Sequence, residues 1–190
     1  MLKWLRNLFG SKKEKPDEKL TYDPTNVQVK DLRKGAFLDY DLQTWEVKAQ
    51  YEYDWGDRYF TFEFLLATVE EKRFLHYEED DGELECTLTE KIRVSSIDAD
   101  IPEEIHRNGT PPKEITYTYK EKEITFYRDE EGTARFRDVD TRNWEEVTSW
   151  SYYDEAEKHV LSVEQWGEKE FEAAVGLVVD ESEFSNIILP

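Results

Sequence analysis

Residues 44–53 read Thr44-Trp45-Glu46-Val47-Lys48-Ala49-Gln50-Tyr51-Glu52-Tyr53. Trp45, Val47, Ala49, Tyr51 and Tyr53 share one side of an extended chain. Glu46, Lys48, Gln50 and Glu52 share the other. Strict alternation with a period of two predicts a half-buried β-strand. On either side the same style continues. Upstream, Val27–Leu32 alternates weakly, Lys34-Gly35 reads as a turn, and Ala36–Tyr40 reads as a strand. Downstream, Asp54-Trp55-Gly56-Asp57 reads as a turn into strands at Arg58–Ala67 and Lys72–Tyr77, and Glu79-Asp80-Asp81-Gly82 turns into Leu84–Ile92. Short Asp/Gly turns between such runs predict antiparallel hairpins.

Residues 95–112 hold Pro102, Asn108-Gly109, Pro111 and Pro112, a density that interrupts strands and predicts a connection. Beyond it, strands are expected at Glu114–Tyr119, Glu123–Arg128, Thr133–Val139, Glu146–Tyr153, Val160–Trp166 and Lys169–Val179, with Asp129-Glu130-Glu131-Gly132 as a turn and a short strand or turn over Ser182–Leu189. A weak repeat links the halves: Phe74–Glu78, a Gly turn and Leu84–Leu88 resemble Val160–Glu164, Gly167 and Phe171–Val175. The expected fold is all-β, with two related antiparallel β units, side by side as small barrels or fused into one sandwich or barrel. The expected organisation is a helix over 1–10, a polar linker over 11–26, a first unit over 27–94, the connection over 95–112 and a second unit over 113–190.

Composition bounds the function. The chain has 190 residues, with 25 Lys and Arg against 45 Asp and Glu, and a net charge of −20. Six Trp, 11 Tyr and 10 Phe supply the apolar surface that acidic disordered chains lack. A single Cys excludes an internal disulfide and any Cys-rich metal centre. The acidic body is unsuited to nucleic acid, whose phosphates require clustered Lys and Arg.

The first residues differ in kind. Placed on a helix, Leu2, Trp4, Leu5, Leu8 and Phe9 of residues 1–10 fall on one arc, with Lys3 and Arg6 opposite. That pattern predicts an in-plane anchor on an anionic membrane surface, formed by Leu2, Lys3, Trp4, Leu5, Arg6, Leu8 and Phe9. Docking of this helix on its own domain is the competing expectation. The polar linker would hold the acidic body away from such a surface.

The motifs Leu32–Gly35, Trp45-Glu46-Val47, Phe62–Leu66, Tyr117–Phe126, Glu131–Ala134, Tyr152-Tyr153-Asp154, Leu161–Trp166 and Phe171–Gly176 span about residues 28–188. Together they resemble a bacterial family catalogued as domain of unknown function four-one-seven-eight. Phe74-Leu75-His76-Tyr77 departs from the family's usual Trp-Leu-Ser-type strand. The resemblance implies a non-enzymatic accessory protein, some members of the family being encoded near phage-shock-type membrane-stress proteins, small integral membrane proteins and polyamine aminopropyltransferases. It brings no catalytic residues with it.

No reaction is legible in the side chains. His76, His106 and His159 show no metal-ligand spacing, and Cys86 sits in a strand, where a small buried apolar role is expected. Glu78-Glu79-Asp80-Asp81-Gly82-Glu83 lacks the spacing of a calcium loop. The expectation is therefore no catalytic residue, no metal and no cofactor. Trp55, read as a turn aromatic, and the acidic Glu78, Glu79, Asp80 and Asp81 are the candidate ligand or partner residues. The function expected first is a non-enzymatic accessory or adaptor protein in the cytoplasm, peripheral on the inner face of the membrane. The alternative is a soluble acidic module for cationic ligands such as polyamines, or for a basic protein partner.

Overall fold

A computed structural model describes residues 26–80, 82–141 and 143–190. The predicted helix over 1–10, with its anchor residues Leu2 to Phe9, lies outside the described residues. The rest is nearly all antiparallel β-structure in one large sheet. Its strands are β1 (Phe37–Tyr40), β2 (Gln43–Gly56), β3 (Tyr59–Ala67), β4 (Lys72–Asp80), β5 (Glu83–Ile92), β6 (Glu114–Tyr119), β7 (Lys122–Asp138), β8 (Glu145–Asp154), β9 (His159–Trp166), β10 (Glu170–Val179) and β11 (Ser185–Ile188). The expected connection over 95–112 carries two short helices, α1 (Val94–Ile97) and α2 (Ile101–Asn108), the second ended by Gly109 at φ 77°. Such left-handed ends favour glycine.

The strand order is β11-β1-β2-β3-β4-β5-β10-β9-β8-β7-β6, and β2 also pairs with β7 through Tyr51↔Asp138 to Asp54↔Arg135. That extra pairing closes eight strands, β2 to β5 and β7 to β10, into a ring of hydrogen-bonded neighbours. The chain lays down a short strand, a long strand and three more strands twice, and the two series meet at β2–β7 and β5–β10. This closure joins the two series in one large sheet, the fused arrangement among those expected, and corrects separate small barrels and a two-sheet sandwich.

Most buried apolar side chains point away from the ring's centre into two large clusters, while a smaller third one, Tyr53, Ala134 and Val147 with Trp55, Phe136 and Trp166, lies at the β2–β7 seam. One joins Leu38, Trp45, Val47, Phe64, Leu66, Leu75 and Leu88 under β1, β11 and the 3-10 turn Val29–Asp31. The other joins Ile115, Phe126, Trp150, Tyr152, Leu161 and Val163 under β6, with Ile101 and Ile105 of α2. The weakly alternating Val27–Leu32 is thus not a strand but irregular chain around the 3-10 turn Val29–Asp31. Its Val29 is anchored by Glu181, which accepts the Val29 N–H at 2.9 Å.

Bulges let the two long strands serve both faces. In β2 the register slips between Val47, opposite Leu66, and Ala49, opposite Leu65. An extra residue inverts which face the following side chains occupy. Trp45 and Val47 therefore face the first apolar cluster, whereas Tyr51, Tyr53 and Trp55 face the ring's interior. The single face expected for Trp45–Tyr53 is two. A matching slip between Arg128 and Glu130 in β7 sends Ile124 and Phe126 to the second cluster and Gly132 and Phe136 inward. Residues 129–132, expected as a turn, run inside a 17-residue strand because this bulge bends the strand without ending it.

Candidate binding cavity

The strands' inner faces line a cavity of ≈ 920 Å³, open at its rim, to which all eight strands of the ring contribute. Alternation fixes who lines it. Leu75 and Tyr77 of β4 turn outward, so Phe74, His76, Glu78 and Asp80 turn inward. Cys86 and Leu88 of β5 turn outward, so Glu85, Thr87, Thr89 and Lys91 turn inward. The wall holds eleven carboxylates and eight aromatic rings but one lysine. A charge ratio of this kind fits a cationic guest and disfavours an anionic one.

At the centre, Glu63 lies opposite Tyr51 on one side and His76 on the other, and Glu164 lies opposite Glu172. Burial, reinforced by Glu164, pushes the Glu63 carboxyl up to about 8. Burial likewise pushes Glu164 to about 7, and the nearby Lys91 ammonium opposes the shift. The Trp166 N–H and the Tyr53 hydroxyl also favour ionised Glu164, although the Trp166 N–H makes no hydrogen bond of ordinary geometry. Burial holds His76 neutral, its pKa lowered to about 4. Its Nε2 stands 3.9 Å from Glu78, too far for an ion pair to overcome that desolvation. Lys91 bonds Glu172, and its ammonium lies 5.1 Å from the centre of the Phe74 ring.

Nearer the rim, the Tyr59 hydroxyl donates to Glu78, and the Tyr153 hydroxyl donates to Glu85 Oε1 at 2.7 Å. Desolvation, with neighbouring Glu85 and Asp80, raises the Glu78 pKa, and desolvation with Glu78 raises that of Glu130. An apolar patch closes the β2–β7 seam. Tyr53 stacks on Trp55 at 5.9 Å, and Phe136 meets Trp166 edge-on at 4.8 Å.

Trp55, expected in a turn, is the last inward side chain of β2, and its Nε1 donates to Thr61 at 3.0 Å. The reversal follows it, at Asp57 and Arg58. Of the acidic candidates, Glu78 and Asp80 join Trp55 in the cavity wall. Glu79 points the other way and accepts a hydrogen bond from Tyr77 at 3.0 Å. Asp81 lies outside the described residues. His106 sits edge-on against Phe171, and His159 Nδ1 is 2.9 Å from Asp154, both away from the cavity wall. Cys86 is buried in the first apolar cluster, where burial raises its thiol to about 12.

Sequence reasoning did not single out Glu63, His76, Lys91, Glu164 or Glu172 as binding residues. The signal that could have found the centre is Phe62-Glu63-Phe64, a carboxylate in mid-strand between aromatics, far from any turn. Among the described residues no group of three or more His, Cys, Asp or Glu is arranged to hold a metal ion. No helix among them is long and apolar enough to cross a membrane.

Comparison with known proteins bears on this site only through the family. The chain is similar to an "Uncharacterized protein" of Aquifex aeolicus (strain VF5), with 27% identity over 189 residues, or 98% of this chain and 97% of that one. No solved structure matches it. The model of the family described as Domain of unknown function (DUF4178) matches residues 33–181, from the turn before β1 to the 3-10 turn after β10, so the whole cavity-forming ring lies inside the match and the chain belongs to that family.

Proposed function

We propose that this protein is a non-enzymatic binding module for organic cations, and that the ring cavity is where it holds them. One observation carries the reading: a cavity of ≈ 920 Å³, open at its rim, lined by eleven carboxylates, eight aromatic rings and a single lysine. Carboxylates supply charge, and aromatic faces attract an ammonium through the ring quadrupole while covering its methylenes. Lys91 supports the reading from within. Its own alkylammonium rests against the Phe74 ring and on Glu172, a protein-built example of the contact a guest amine would make. Polyamines are the natural probe, because they combine several ammonium groups with apolar linkers.

The test is calorimetric titration of the full chain with spermidine at physiological salt. Saturable binding of one ligand per chain is expected. Partly buried charge pairs are screened less than surface ones, so the affinity should survive added salt. Heat that does not saturate, or that disappears as salt is raised, would reject the reading.

The basic amphipathic residues 1–10 add a second proposal, that the module works as an accessory protein tethered to the inner face of the cytoplasmic membrane. It rests on sequence alone, and the two proposals are compatible: one gives the address, the other the cargo.

A further inference from the structure

We infer that the guest is a linear cation with at least two ammonium groups, one seated in each of two separate acidic clusters within the cavity; the inference rests on the cation-binding reading above. The central cluster is Glu63, Glu164 and Glu172, with Lys91 beside it. The rim cluster is Glu78, Asp80, Glu85 and Glu130. Their electrostatics divide along this line. Glu63 is perturbed by Glu164, Glu172 and Lys91, and Glu130 by Glu78, Asp129, Glu85 and Asp80. Neither set includes a carboxylate of the other.

Register gives the spacing. His76, opposite Glu63, is two residues from Glu78 and four from Asp80 along β4, or about 7 and 13 Å at the usual strand rise. On β5, uncharged Thr87 and Thr89 separate Lys91 from Glu85, six residues or about 20 Å away. A cation with one charge can neutralise one cluster and leaves the other as it was. A rod bearing charges at both ends satisfies both, and its middle passes uncharged walls. The clusters also differ in what they already hold. Lys91 serves the central one, whereas among the described residues no Lys or Arg pairs with Glu78, Asp80, Glu85 or Glu130. A second ammonium therefore meets its least-neutralised partners at the rim.

The experiment is calorimetry on the full chain with butylamine, putrescine, cadaverine and spermidine, repeated on Glu78→Gln/Glu85→Gln. Putrescine or cadaverine is expected to bind at least tenfold more tightly than butylamine, and the double variant should collapse that ratio several-fold. Glu130→Gln, an exposed rim position, gives the same readout if the double variant does not fold. Equal affinities for butylamine and the diamines, or a ratio unchanged in the rim variants, overturns the two-cluster inference and leaves cation binding standing. Absence of binding by every amine overturns both.

Discussion

The indole of Trp55 occupies the space above the α-carbon of Gly132: a β-carbon there would stand 2.9 Å from Cζ3 and 3.1 Å from Cε3 of the ring. These two residues sit on the two strands whose pairing closes the ring, β2 and β7. Glycine inside a strand costs stability and often marks a close approach by something else. Here the approaching group is an aromatic wall of the cavity. Gly132→Ala should therefore push Trp55 off its seat and cost about 1–3 kcal/mol, as overpacking does. A double-mutant cycle checks the cause by thermal melting. In a Trp55→Ala background the penalty of Gly132→Ala should vanish; a penalty of the same size there means Trp55 is not what Gly132 accommodates.

Gly176 is tighter still. A β-carbon on it would lie 2.0 Å from the Leu88 carbonyl oxygen and 2.6 Å from the Thr89 α-carbon, both backbone. Backbone cannot step aside as a side-chain tip can, so β10 would have to part from β5. Gly176→Ala is expected to abolish soluble folded protein. Gly167→Ala, where nothing lies within 4 Å and the difficulty is only a φ of 60°, should cost about 1–2 kcal/mol. Soluble yield and circular dichroism compare the two, and a folded Gly176→Ala of near-native stability would contradict the packing.

How much of this was legible beforehand depended on locality. Alternation in Thr44–Tyr53 and its neighbours marked the strands, because burial on one side is written in a period of two. The pairing of Phe74–Leu88 with Val160–Val175 as equivalent hairpins matches β4–β5 and β9–β10 in the observed order. Two things were hidden. A bulge leaves the alternation intact while reversing its meaning, so Val47 and Tyr51 look like one face and are not. Polar positions also read as water-facing wherever they occur. Glu63 and Glu164 obey the strand rule but face an internal space, which only the long-range β2–β7 pairing creates.

Two hairpin turns give a stabilising test. Asp41-Leu42 and Lys120-Glu121 both take left-handed backbone, with φ of 47° and 62° in the first and 47° and 67° in the second. Such turns match strand twist but favour Asn-Gly or Asp-Gly. Leu42 is fully exposed, so its side chain returns nothing for the strain. Leu42→Gly and Glu121→Gly should each add about 1 kcal/mol, less glycine's own entropy. Thermal melting reads the gain, and a loss in both would show that these turns carry no such strain.

The amino-terminal proposal is tested with vesicles. Full-length protein should co-sediment with anionic liposomes, and a chain beginning at Leu20, which keeps every described residue, should not. Leu5→Glu places a charge in the apolar arc and should also abolish binding. Equal sedimentation of the long and short chains would remove the anchor.

The buried titratable groups give the protein a stability profile with a defined sign. Glu63 and Glu164 have folded-state pKa values of about 8 and about 7, above the ordinary glutamate value of 4.5. Between roughly pH 4.5 and 8 the folded chain holds protons that the unfolded chain has released, so these two groups make stability fall as pH rises. His76 acts in the opposite sense and in a different window. Its folded value is about 4 against 6.5 unfolded, so stability falls as pH drops from about 6.5 to 4. Glu63→Gln should raise the melting temperature at pH 8 by several degrees, at about 2–4 °C per kcal/mol for a chain of this size, and change it little at pH 4. A cation seated at Glu63 and Glu164 must meet ionised carboxylates, so binding near pH 6 should release protons. Calorimetry in buffers of different ionisation enthalpy counts them. Heats that do not depend on the buffer would mean that the guest, if it binds, does not reach these two residues.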